Sequence, residues 1–117
     1  MVTIDRQALD KLQEIVGGDP ADLVELIESF LEEAPELVEA LAAAQGSGDL
    51  QGARRAAHSL KSNARDMGAG ELAQLSAELE AQCVAGMLPG EAEVEAVRRA
   101  FAEAASELRA AFPAVAQ

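Results

Sequence analysis

Among its 117 residues the chain has one cysteine, one histidine, three aromatic residues and no tryptophan or tyrosine. A lone Cys83 excludes an internal disulfide and fits a reducing compartment, and no Cys/His set exists that could hold zinc. Nowhere do eighteen uncharged apolar residues occur together, which excludes a membrane-spanning helix. The opening "MVTIDRQALDKLQ" is charged from its fifth residue and lacks the apolar run of a signal peptide, so a cytoplasmic, non-membrane protein is expected. Basic residues are scarce as well. Nine Lys and Arg stand against 21 Asp and Glu, for a net charge of −12 and a pI near 4.3. A surface this acidic repels phosphate backbones and argues against nucleic acid as a partner.

What is abundant is alanine and a regular apolar pattern. Half of the residues are apolar, and few are bulky, which favours closely packed helices over sheet or a large ligand cavity. The length suits one domain over residues 1–117. Asp5 is a plausible N-cap for a short first helix with Leu9, Leu12 and Val16 at helical spacing, stopped by "GGDP" at 17 to 20. Asp19 and Pro20 open a second helix whose apolar stripe is Leu23, Ile27, Phe30, Ala34, Leu37, Leu41 and Ala44. Pro35 inside it predicts a kink near residues 31 to 35, with a division into two helices as the lesser alternative.

"QGSGD" at 45 to 49 reads as a turn, and Asp49 caps a third helix burying Leu50, Ala53, Ala57, Leu60, Ala64 and Met67. After "GAG" at 68 to 70, a fourth helix buries Leu72, Leu75, Leu79 and Cys83. After "GMLPGE", a fifth buries Val94, Val97, Phe101, Ala104, Leu108 and Phe112. Four long amphipathic segments with short connections predict an all-α, antiparallel four-helix bundle, with the short N-terminal helix covering one end.

The anomaly is the surroundings of His58. Between Leu50 and Arg65 there is no acidic residue, so this window carries +4 while the remaining 101 residues carry −16. On a helix, Arg54, Lys61, Ser62 and Arg65 share a face with His58, with Arg55 at its edge. None of them belongs to the apolar stripe, so the imidazole is expected on the solvent side among cations. Like charges disfavour a second proton on the ring and leave one nitrogen nucleophilic. The same cations attract an anion: about 6 Å from each unit of charge on a phosphorylated ring, a cation contributes roughly 0.7 kcal/mol in water, or roughly 3 kcal/mol at an effective dielectric of 20. Ser62, one turn on, leaves room for another protein to press against the ring.

The stretch "AHSLKSNARDMGAGELAQLSAELE", 57 to 80, resembles the signature of histidine-containing phosphotransfer (HPt) domains. His58 is followed at plus three by Lys61, at plus four by the small Ser62 and at plus ten by Gly68, and then by a Leu-rich helix with Leu72 and the pair Leu79, Glu80. "LVELIESFLEEAPELVEAL" is similar to the family's preceding helix, so the likeness spans essentially the whole chain. Ser62, where Gly is most typical, departs from the pattern and bears on partner affinity.

The resemblance implies a phosphorelay intermediate in two-component signalling. His58 would take a phosphoryl group from a receiver-domain aspartate and pass it to another receiver, with Lys61 steadying the phosphoryl oxygens. Arg54, Ser62, Arg65 and Gly68 would face the partner, a response-regulator receiver or a hybrid histidine kinase. No cofactor is expected on this chain, since the receiver would bring the acceptor aspartate and Mg²⁺. Folding back from Gly68 sets residues 78 to 80 opposite His58 and offers Glu78 or Glu80 to hold Nδ1.

Other motifs carry less. "GSGDLQG", 46 to 52, follows an Ala-rich helix instead of a strand and lacks the Lys-Ser/Thr pair of a phosphate-binding loop. No ATP-binding motif is present, so the chain is not expected to be a kinase. The competing expectation from another class is a helical adaptor that docks an acidic partner through the basic face around His58, which is then never phosphorylated.

Overall fold

The structure, a computed structural model, describes residues 4–115. Five helices follow in order: α1 (Arg6–Ile15), α2 (Pro20–Ser47), α3 (Leu50–Asp66), α4 (Gly70–Val84) and α5 (Glu91–Ala111). Three starts are fixed by aspartates that accept hydrogen bonds from orphan backbone N–H groups. Asp5 takes Gln7 N–H, Asp19 takes Ala21 N–H and Asp49 takes Gly52 N–H, each at 2.9 Å. At α5 the order is reversed, and Glu93 reaches back to Gly90 N–H at 2.9 Å.

The apolar stripes then decide the packing. Helix α3 lies against α4 most extensively and against α2 next, while α5 closes the ring on α2 and α4. The short connections make sequential neighbours antiparallel, as the sequence pattern predicts for a four-helix bundle. Its centre holds Leu23, Ile27, Leu41, Leu60, Leu72, Val97 and Leu108, all buried. Phe30 and Phe101 tilt together with ring centroids 5.8 Å apart, a geometry that aromatic quadrupoles favour.

Helix α2 continues unbroken through Pro35, so the lesser alternative of two separate helices does not occur. Proline forfeits its own N–H bond and crowds the preceding turn, and burial of Ala34 and Val38 on either side holds the helix in place. Val38, not Leu37, completes the α2 core stripe. Leu37 is half-buried, as are Leu50, Leu75, Phe101 and Phe112, which the pattern had placed fully inside. Alanines fill much of the space instead: Ala56, Ala73, Ala100 and Ala105 are buried. The segment at 45 to 49 is less of a turn than expected, because α2 persists to Ser47 and only Gly48, at φ 72°, reverses the chain.

Helix α1 packs on α2 and α3 with Leu9 fully buried. Just before it, Asp5 N–H donates to Gly68 O at 2.7 Å and Ile4 N–H donates to Glu107 at 3.3 Å. The N-terminal segment thus ties the α3–α4 turn to α5. Gly68, expected to face a partner, is buried in this clasp with φ 72°. A Cβ there would lie 2.5 Å from Asp5 O. The residue is required for the approach of two backbones and lies off the surface around His58.

Gly68→Ala is therefore expected to lower stability by about 2 kcal/mol, through both the left-handed backbone and the clash. Urea unfolding checks this, and an unchanged midpoint would show that the clasp yields freely.

Candidate functional site

The site begins with the face of α3 that the core leaves free. Ala53, Ala56, Ala57, Leu60 and Ala64 point inward, which turns His58 outward with its side chain 59% exposed. Small side chains at the seam bring α4 close to α3. Glu80 of α4 then reaches across, and its carboxylate is divided between two residues of α3. Oε2 lies 2.7 Å from His58 Nδ1, and Oε1 pairs with the Lys61 ammonium. Lys61 and Glu80 are far less open than the ring, at 20% and 16% exposure.

This arrangement fixes the chemistry of the imidazole. A carboxylate at Nδ1 holds a proton on that nitrogen and leaves the Nε2 lone pair pointing outward. The hydrogen bond from Lys61 is the main reason that the Glu80 carboxyl sits below its usual range, with His58 adding to the effect against the opposing cost of burial. Glu80 therefore stays an anion, and positive charge appearing on the ring meets a fixed counter-charge. No cluster of metal-binding side chains occurs among the described residues, and none of their helices is long and apolar enough to cross a membrane.

The ring of cations expected around His58 is corrected by these contacts: the direct partner of the imidazole is a carboxylate. Arg54 turns to Gln51, donating from Nε at 3.3 Å. Arg65, in the last turn of α3, lines a hollow with Asp5 and Lys11 of the N-terminal segment. Ser62 does stand beside the ring, in a hollow that also takes in Glu33, Glu36 and Leu37 of α2. Glu80, rather than Glu78, holds Nδ1, and Glu78 remains exposed. The sequence reading missed Leu37, Glu33 and Glu36. Leu37 and Val38 are adjacent and both apolar, so the 3.6-residue period alone does not decide which one faces inward.

An exposed nucleophilic nitrogen backed by a half-buried anion, with an ammonium on the same carboxylate, suits reversible transfer of an anionic group. The family model for the Hpt domain matches residues 25–117. The chain belongs to the Hpt domain family. The fold is similar to the crystal structure of histidine-containing phosphotransfer protein B (HptB) from Pseudomonas aeruginosa PAO1, with a TM-score of 0.83 and 31% sequence identity over 92% of this chain and 91% of that one. No curated protein matches the sequence. Hpt proteins are phosphocarriers of two-component signalling rather than kinases, and in phosphorelays they work with receiver domains and histidine kinases. Helix α1, with its clasp on Gly68, lies outside the segment that the Hpt family model matches.

The lowered Glu80 carboxyl makes a pH prediction. Because the folded state releases this proton more readily than the unfolded chain, the stabilisation is complete above the ordinary value of 4.5. It is lost as pH falls through the lower folded value. Wild type is expected to be more stable than Glu80→Gln at pH 7, with the gap closing below about pH 4.5. Urea midpoints from pH 7 to pH 3 check this; a gap independent of pH would contradict it.

Proposed function

We propose that His58 is the phosphoacceptor of a phosphorelay in the cytoplasm, taking its phosphoryl group from the aspartyl phosphate of one receiver domain and giving it to the aspartate of another. The observation that carries this reading is the 2.7 Å approach of Glu80 to Nδ1 beneath a ring whose side chain is 59% exposed. Nε2 attacks phosphorus, the N–P bond forms, and the P–O bond to the donor aspartate breaks with its electrons leaving on the carboxylate. No proton has to leave the attacking nitrogen. The positive charge that develops on the imidazole is held by Glu80, an attraction of about 4 kcal/mol at 4 Å and an effective dielectric of 20.

Lys61 supplies the second charge. Its ammonium lies on the Glu80 carboxylate, one turn from His58 on the same helix, where it steadies the phosphoryl oxygens as they arrive. The receiver brings the acceptor aspartate and the Mg²⁺ that phosphoryl transfer uses, whether that receiver stands alone or forms part of a hybrid histidine kinase. The competing adaptor reading needs one continuous basic face. Its support is weakened by the engagement of Arg54 with Gln51 and by the place of Arg65 in a hollow against the N-terminal segment.

Incubation with a phosphorylated receiver is expected to place acid-labile, base-stable phosphate on wild type and none on His58→Gln. Label retained by His58→Gln would assign the site elsewhere. Lys61→Ala is expected to slow transfer about tenfold or more while keeping its helical circular dichroism, and an unchanged rate would remove Lys61 from the mechanism.

A further inference from the structure

Helices α2 and α3 differ sharply in charge along the seam that leads to His58. Helix α2 carries acids and no base, whereas α3 carries Arg54, Arg55, Lys61 and Arg65 with the single acid Asp66. Two adjoining depressions run along this seam. One, of about 630 Å³, takes in His58, Ser59 and Ser62 on one wall and Glu33, Glu36 and Leu37 on the other. The next, of about 450 Å³, continues from Leu37 and Ala40 to Gly52, Arg55 and Ala56. Small residues line much of both, with Ala40 and Ser59 shared between them, so protruding side chains of a partner can enter. Leu37, left half out of the core, supplies an apolar contact.

The walls are unequal in how their charges are used. On the α5 side of α2, Glu39 is neutralised by Arg98. Glu33 and Glu36 have no hydrogen bond or ion pair among the described residues, and neither does Arg55. Two free carboxylates therefore flank the phosphoacceptor end of the groove, and a free guanidinium stands toward its far end.

We infer that this groove seats the receiver domain, and that Glu33 and Glu36 select receivers carrying cationic side chains beside an apolar patch next to their aspartate. The inference rests on the phosphotransfer reading and adds the chemistry of the partner surface. Arg55 at the opposite end gives the groove a polarity, so that one orientation of the partner matches both ends and sets its aspartate against His58. Rim charges of this kind act chiefly on the rate of encounter and are screened by salt.

The test compares wild type, Glu33→Lys/Glu36→Lys and Ala40→Arg in two reactions. The first is transfer from a panel of phosphorylated receivers. The second is labelling by phosphoramidate, in which Nε2 displaces ammonia from phosphorus and no docking surface is needed. The doubly substituted protein is expected to take phosphate from its best receiver about tenfold more slowly at low ionic strength, with the deficit shrinking as salt rises. Ala40→Arg, which fills the groove, is expected to be slow at every salt concentration. Both variants should still be labelled by phosphoramidate, the doubly substituted protein no more slowly than wild type because lysines beside the ring attract the anionic donor, which verifies an intact His58. Transfer from receivers at the wild-type rate in both variants would overturn the inference. Wild type labelled by phosphoramidate yet by no receiver would instead defeat the relay reading on which it rests.

Discussion

Glu80 gives Oε2 to the imidazole of His58 and the other oxygen to the ammonium of Lys61. Both partners stand on α3 and the carboxylate comes from α4, so the site exists only while those two helices keep their separation. The inward face of α3 is built largely of alanine, with Ala53, Ala56, Ala57 and Ala64 buried, and small side chains let neighbouring helices approach closely. Larger side chains there would push the packed helices outward and strain the contact between Glu80 and the ring. The alanine content that limits the aromatic core is thus also what permits a short, directed hydrogen bond between helices.

The division of one carboxylate explains how an acidic protein keeps a nucleophilic histidine at its surface. Hydrogen bonding at Nδ1 directs the proton inward, and Lys61 offsets the charge of Glu80 so that the local balance stays near neutral. The partly covered Glu80 and Lys61 are screened less by solvent than the open ring, which makes them the fixed elements of the site and His58 the part that meets another protein. At the other end of α3, the clasp of Ile4 and Asp5 on the Gly68 turn and Glu107 holds the α3–α4 hairpin from which Glu80 is presented.

Much of this was legible in the residues. The caps Asp5, Asp19 and Asp49 acted where their side-chain chemistry places them, and the five helices follow the apolar spacing. The spacing of His58, Lys61, Ser62 and Gly68 led to the family that the comparisons then showed. Less legible was the depth of individual positions. Leu37 and Val38 exchange roles on a helix that continues through Pro35, and Phe101 lies partly open while Ala100 is buried, because packing between helices selects among neighbouring apolar residues. The cationic environment assigned to His58 failed for a related reason. Spacing along α3 reveals which side chains share its face, but the nearest charge comes from α4, across the hairpin. Gly68 looked like a surface residue of the motif, and only the approach of Asp5 reveals why it lacks a side chain.

The central claim is that the carboxylate of Glu80 decides which nitrogen of His58 is free. Long-range ¹H–¹⁵N correlation of the imidazole, at a pH where the ring is neutral, measures this directly. The account predicts a proton on Nδ1 and a bare Nε2 in the wild type, with the preference relaxing in Glu80→Ala. A wild-type ring that carries its proton on Nε2 would contradict it.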